Sequence, residues 1–325
     1  MSDLAEIKTA LLAANHIAII THVNPDGDAI GSLLGLGLPL RAAGKTVTLV
    51  TEKPIPDRFT FLTSAETIVQ TVPAEADFAV AVDCSDARRL GNHQHTPIAL
   101  NVDHHVTNQM FGRYNVVRST ALSTTEILTD LVREWQLPLT PDAANALLCG
   151  LVTDTLGFSV PATTPHTLRL AGDLVAAGAN LSQVYRQGLN LQTLTAIRLW
   201  GVAFDRLQQR DGLLWTSLPL AEKQRIGYPA RDDADVVNVI RNIEGSDVYV
   251  ILVEHGPREV KISWRSEWMD VSQIAQQFDG GGHKPAAGAT VYLPLVEAEQ
   301  VVVEATLAAL QAARATRNGQ PTPNH

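Results

Sequence analysis

Short apolar runs alternate with longer amphipathic stretches through the first half of the chain. Residues 17–21, 46–51, 77–83 and 97–102 read as strands, mostly apolar apart from the threonines at 46, 48 and 51, the pattern of strands buried on both faces of a parallel sheet. Residues 3–14, 28–43, 122–136, 141–157 and 165–178 carry helical periodicity instead. Gly44 reads as the stop of the second of these helices. Pro39 inside it predicts a kink or an early end, because proline removes a backbone donor. Strand and helix in alternation predict an α/β fold: a largely parallel sheet covered by helices on both faces, followed by a smaller α+β domain.

The change of texture comes after about residue 205. Residues 181–205 read as a connecting helical stretch, and strand, Asp211-Gly212, strand between Phe204 and Ser217 reads as a hairpin. A helix near 233–243, strands at 247–254 and 258–265, a helix near 270–278 and a last helix near 295–313 complete a second unit. At 325 residues the chain exceeds what one core usually supports. The expected division is a catalytic domain over 1–185, a helical linker over 186–208, a substrate-binding domain over 209–315 and a disordered tail over 316–325.

Composition narrows the chemistry. The hydrophobic fraction is 45% and the charged fraction 18%, and no window approaches the roughly 18 apolar residues of a membrane span. No export signal opens the chain, so a cytoplasmic location is expected. Cys84 and Cys149 lack both the number and the spacing for a disulfide framework or a zinc ribbon. A net charge of −9 argues against duplex DNA as a partner.

Within that frame, acidic and imidazole side chains recur at the ends of the predicted strands. His22, Asp26 and Asp28 follow the first, Asp83 ends another, and Asp103-His104-His105 ends the next. Strand ends of a parallel sheet share one rim, where ligand crevices form. Asp154 lies in an otherwise small, apolar stretch and needs a cation or hydrogen-bond donors. If His22, Asp26, Asp28, Asp83, His104 and Asp154 face one cavity, four carboxylates balance two divalent cations. One carboxylate must bridge cations about 3.5 to 4 Å apart, and Asp83, on the central strand, is the candidate. Mixed oxygen and nitrogen ligands favour Mn²⁺ over Mg²⁺, with Co²⁺, Fe²⁺ or Zn²⁺ as alternatives. A hydroxide generated there suits phosphoester hydrolysis. Taken singly, Asp28 reads as a helix N-cap. His16, His93, His95, His166 and His255 have no such company. The acidic residues between Asp232 and Asp247 read as a solvated helix face.

The second domain contributes Gly280-Gly281-Gly282-His283, glycines that let backbone N–H groups approach an anion. Arg265, at a strand end, offers a planar fork to phosphate.

With His22-x-x-x-Asp26-x-Asp28, Asp83, Asp103-His104-His105, Asp154 and the Gly-Gly-Gly-His loop in order, the chain resembles the DHH phosphoesterase superfamily. Within it, the nanoRNase and pAp phosphatase group, which joins a DHH domain to a DHH-associated domain, is the nearest likeness. The resemblance implies two metals, one on His22, Asp26 and Asp83, the other on Asp28, Asp83, His104 and Asp154. It implies that His105 contacts the reacting phosphate, that Asp103 orients the histidines, and that Arg265 with Gly280, Gly281, Gly282 and His283 grips the nucleotide; Asn24 has a supporting part. It further implies a homodimer that degrades oligoribonucleotides of a few residues and converts pAp to AMP, with a cleft between domains limiting substrate length. Two departures stand out: Asp279, where relatives often carry glycine, and Pro39.

The rivals are a phosphodiesterase for cyclic di-AMP or pApA, which the same motifs allow, and a non-catalytic nucleotide sensor, which should have lost ligands. A RecJ-like exonuclease lacks room for an added aromatic platform. A manganese pyrophosphatase lacks the Gly-Gly-Gly-His loop.

Overall fold

Strands form where apolar residues are buried on both faces, and the computed structural model, which describes residues 3–229 and 232–318, places them so. One compact unit ends at Leu191 and a second begins at Gln192. The first contains α1 (Leu4–Ala13), β1 (His16–Ile20), α2 (Gly27–Ala42), β2 (Thr46–Val50), β3 (Phe78–Val82), β4 (Leu100–Asp103), β5 (Tyr114–Val117), α3 (Thr124–Glu134), α4 (Pro141–Asp154), α5 (Pro165–Ala176) and α6 (Leu181–Val184). All five strands are parallel, in the order β2-β1-β3-β4-β5. The sheet grows outward in both directions from β1 and β3, and the crevice at their carboxyl ends is the switch point where such sheets bind ligands.

Alternate residues serve two cores. Ile17, Ile19, Val80 and Val82 pack with Leu33, Leu36 and Leu147 of the helices. Ile20, Ala79 and Ala81 pack on the opposite face with Leu90 and Ile98, where the 3-10 helix Ala87–His93 forms a thinner cover. The strand β5, with only four residues, was not anticipated.

α2 and α4 run antiparallel at close range because α2 carries glycine where they meet. A Cβ on Gly31 would stand 2.6 Å from the Ala146 carbonyl oxygen, and one on Gly27 would stand 2.3 Å from Thr153 Oγ1. That approach brings the first turn of α2, with Asp28, beside the last turn of α4, with Asp154. Pro39 does not end α2 early: the helix runs on to Ala42. A proline in the last turn forfeits a single amide donation, and buried Leu36 and Leu40 hold the helix down on either side.

The second unit contains α7 (Leu194–Asp205), β6 (Gln208–Arg210), β7 (Leu213–Leu218), α8 (Leu220–Ile226), α9 (Val236–Ile240), β8 (Val248–Gly256), β9 (Glu259–Arg265), α10 (Ser272–Gln276), β10 (Gly281–His283), β11 (Ala286–Val291) and α11 (Leu295–Asn318). Its sheet order is β10-β11-β9-β8-β7-β6, antiparallel except between β7 and β8. Val248, Val250 and Leu252 face α11, while Tyr249, Ile251 and Val253 face α7 and α9. The β6–β7 hairpin turns at Asp211 (φ 50°) and Gly212 (φ 87°), the left-handed pair that Asp-Gly favours.

The span expected to be a linker is shared. A π-helical turn, Tyr185–Asn190, closes the first unit, and α7 opens the second because Ala196, Leu199 and Ala203 pack against Leu214 and Ile240. The acidic residues before Val236 do not line a helix, since α9 spans only five residues. Of the tail 316–325, residues 316–318 are helical; the remainder lies outside the described residues. No helix among the described residues is long and apolar enough to cross a membrane.

Candidate metal centre

Four segments meet at the carboxyl ends of β1, β3 and β4. The turn after β1 supplies His22, Asp26 and Asp28. Asp26, rather than Asp28, is the N-cap of α2: its Oδ1 accepts from the amides of Asp28 (3.1 Å) and Ala29 (3.0 Å). Asp28, thus freed from capping, is fully buried and takes the first turn of α3 as its donor. Thr124 N reaches its Oδ2 at 2.6 Å and Thr125 N its Oδ1 at 2.9 Å. α3 is anchored there by Ser123, whose hydroxyl accepts from Glu126 N, a Ser-x-x-Glu start legible in the sequence.

Asp83 lies just past β3 with φ 53°, a left-handed conformation that costs free energy in a non-glycine residue. Its amide donates to the Val102 carbonyl, and its carboxylate is turned into the cluster. Asp83 Oδ1 accepts from Thr124 Oγ1 at 3.1 Å and lies 3.7 Å from both His104 Nε2 and His105 Nδ1. Asp83 Oδ2 lies 3.4 Å from His22 Nε2. That His22 nitrogen is buried and makes no well-formed hydrogen bond among the described residues. His104 Nε2 is 3.4 Å from Asp154 Oδ2 and 4.0 Å from Asp28 Oδ2.

Three groups of ligand atoms follow, each with all members within 4.8 Å of one another: His22, Asp26 and Asp83; Asp28, His104 and Asp154; Asp83, His104 and His105. All six residues anticipated as metal ligands are therefore brought together. Asp83 and His104 each belong to two groups.

The electrostatics show what these positions cost. Burial pushes Asp28 well above the ordinary carboxyl range, and the charges of Asp83 and Asp26 push it further. Burial followed by the charges of Asp28, Asp83 and Asp26 does the same to Asp154. Burial also acts to raise Asp83, but the imidazoles of His22, His104 and His105 outweigh it and hold the group at about 2. A cluster in which carboxylates resist ionising, beside an imidazole nitrogen that makes no well-formed hydrogen bond among the described residues, fits a positively charged occupant. The donor set of carboxylate oxygens and imidazole nitrogens, without thiolate, suits divalent cations.

His105 is tethered differently. Its Nδ1 is 2.7 Å from Asp103 Oδ1, and this bond, against the effect of burial, raises its proton affinity. Asp103 is fully buried and also accepts from His104 N (2.9 Å) and from Asn108 Nδ2 (2.6 Å). Asn24 Oδ1 accepts from Lys53 Nζ at 2.9 Å, which braces the turn after β1. Sequence reasoning missed Thr124 and Asn108, which lie 41 and 5 positions from the carboxylates their side chains touch. Only the helix-start signature at Ser123 pointed toward the first.

In the second unit, Arg265 of β9 pairs with Ala286 of β11, which pairs with His283 of β10, so the two basic side chains occupy one cross-strand row. The glycine run is strand rather than open loop from Gly281 onward. Gly280 N donates to the Ala275 carbonyl, which removes that amide from anion binding. Asp279 has φ 55°, a conformation natural to glycine and tolerated by Asp.

Comparison with known proteins agrees with this architecture. Residues 16–151 match the DHH family, N-terminal domain, and residues 221–313 match the DHHA1 domain. A relative from Thermus thermophilus, named bifunctional oligoribonuclease and PAP phosphatase NrnA, is 35% identical over 94% of this chain and 93% of its own. A Bacillus subtilis protein of the same name is 27% identical over 85% of this chain and 89% of its own. The crystal structure of an exopolyphosphatase-related protein from Bacteroides fragilis superposes with a TM-score of 0.86 at 24% identity, covering 96% of both chains. The chain belongs to the DHH family, in the two-domain form in which a DHH domain precedes a DHHA1 domain.

Proposed function

We propose that the protein is a Mn²⁺-dependent phosphoesterase that hydrolyses oligoribonucleotides of a few residues to mononucleotides and pAp to AMP. The observation that carries this reading is the set of three overlapping ligand groups sharing Asp83 and His104 at the sheet's switch point. The names of the Thermus and Bacillus relatives supply the substrate class.

In this reading His22, Asp26 and Asp83 hold one cation, and Asp28, Asp83, His104 and Asp154 hold the other, with Asp83 common to both. When bound, the pair supplies an activated water and polarises the phosphoryl oxygen under attack. The protein does the rest. The α3 amides fix both oxygens of Asp28, and Thr124 fixes the rotamer of Asp83. Asp103 holds His105 by Nδ1 and turns Nε2 toward a phosphate oxygen, and the raised proton affinity of the ring favours the protonated form in which Nε2 donates. Arg265 and the segment from Gly280 to His283, its Gly280 amide excepted, hold the nucleotide. A homodimer and a cytoplasmic location complete the reading, the former checked by light scattering.

The test is a rate comparison with Mn²⁺ or Mg²⁺ on pAp, pApA, cyclic di-AMP, pyrophosphate and RNA from two residues upward. The expected order puts pAp and the shortest RNAs first, with rates falling as length grows. Cyclic di-AMP or pyrophosphate as the preferred substrate would overturn the reading, and tight nucleotide binding without turnover under any metal would favour a sensor.

A further inference from the structure

Two adjacent arginines follow Asp83 in the 3-10 helix Ala87–His93 and are held in opposite ways. Arg88 is 79% exposed, and its guanidinium is taken by Asp86, with Nε 2.8 Å from Oδ2. Arg89 is half-buried. Among the described residues it has no ion pair, and its side-chain hydrogen bond is a long one, Nη1 to Ser85 Oγ at 3.4 Å. Partly desolvating a guanidinium without a counter-charge is unfavourable unless an anion completes it.

The position of Arg89 is fixed against the cluster. Its carbonyl accepts from Val23 N at 2.9 Å, which ties this helix to the turn bearing His22 and Asp26. Ser85, its hydrogen-bond partner, accepts from Gln109 N in the loop that follows His105. The guanidinium charge reaches that side of the site: it opposes protonation of His105 and acts on the Cys84 thiol. Four cluster carboxylates balanced by two divalent cations leave the metal cluster itself without net charge to offset an arriving phosphate, so a fixed cation on this side of the site would add to what His105 and Arg265 supply.

We propose that Arg89 is a substrate-binding residue whose guanidinium takes a non-bridging oxygen of the phosphate lying against His105. The proposal rests on the phosphoesterase reading. It places a phosphate-holding arginine within the first unit, in addition to Arg265 of the second, and distinguishes it from its neighbour, which is only a surface ion pair.

The experiment compares Arg89→Ala and Arg89→Lys with Arg88→Ala in the full-length, Mn²⁺-loaded protein. Turnover of pAp and of a 5′-phosphorylated dinucleotide, AMP affinity by calorimetry, and melting temperature are measured. Losing a charge-assisted hydrogen bond predicts a fall of about 10- to 100-fold in kcat/KM for Arg89→Ala. Weaker AMP binding, an unchanged melting temperature and partial recovery with added guanidinium ion are also expected, with Arg88→Ala close to wild type. Arg89→Ala indistinguishable from Arg88→Ala would overturn the proposal while leaving the phosphoesterase reading intact. So would a loss matched by a lower melting temperature and not rescued by guanidinium. A wild-type protein that binds AMP without hydrolysing any phosphoester would end the hydrolase reading, and Arg89 would still be judged by AMP affinity. A wild type that neither binds nor hydrolyses would end both.

Discussion

Replacing Asp154 with Asn should stabilise the metal-free protein and sharply reduce its gain from metal. Asp154 is the last residue of α4, where the helix dipole disfavours negative charge, and its carboxylate stands within 4.8 Å of a ligand oxygen of Asp28. At that separation and an effective dielectric constant of about 20, two ionised carboxylates repel by about 3 kcal/mol. Part of this is relieved because Asp28 and Asp154 both hold their protons more tightly than usual, so a net gain of about 1 to 2 kcal/mol is expected. For a unit of this size that is a rise of about 2 to 8 °C in melting temperature.

The pH dependence has a definite sign. A carboxyl whose folded-state pKa is raised costs nothing below its unfolded value near 3.9, and its penalty grows as pH rises through the raised folded value. The advantage of Asp154→Asn in chelator should therefore be small at about pH 4.5 and full at about pH 8. With saturating Mn²⁺ the order should reverse, since binding to the native state stabilises in proportion to affinity and the variant has lost a ligand. Scanning calorimetry with and without chelator at both pH values provides the assay. A variant less stable than wild type in chelator at about pH 8 would refute the reasoning, because it would make Asp154 a structural anchor.

Other variants probe the supporting groups. Thr124→Val removes the 3.1 Å bond to Asp83 Oδ1 but keeps the amide to Asp28; metal affinity by calorimetry should fall about 10- to 100-fold, and unchanged affinity would deny Thr124 a part in orienting Asp83. Asp103→Asn removes the main cause of the raised proton affinity of His105, so the imidazole should titrate at lower pH by NMR; an unmoved titration would contradict the tether. Gly281→Ala enters open space, whereas Gly282→Ala, at φ 147°, would meet Ala287. The first should melt like wild type and the second several degrees lower, and equal melting would show the β10–β11 pairing to be wrong.

Much of the architecture was legible because burial on both faces leaves a simple mark. The apolar runs at β1, β2 and β3 were bounded to within a residue or two, and the Asp211-Gly212 turn was announced by the two residues that tolerate its dihedrals. What escaped was short or set by tertiary contact. β5 and β10 have four and three residues, too few to establish a period, and α7 was assigned to a linker because its apolar face has meaning only against β7 and α9.

At the site, the residue types themselves were informative, since carboxylates and imidazoles at the ends of several buried strands are costly to gather unless a cation joins them. The roles of Asp26 as helix cap and of the α3 amides as the clamp on Asp28 depend on dihedrals and on contacts across 96 and 97 positions. Periodicity carries no such information. The unpaired state of Arg89 was equally invisible, because nothing in Arg88-Arg89 says which of the two turns inward.

The central claim is that six side chains from four segments hold two cations through a common carboxylate. Crystals grown with Mn²⁺, with anomalous scattering recorded at the manganese edge, test it most directly. The account predicts two peaks about 3.5 to 4 Å apart, one beside His22 and Asp26, the other beside Asp28, His104 and Asp154, with Asp83 touching both. A single peak, or two peaks that Asp83 does not bridge, would contradict it.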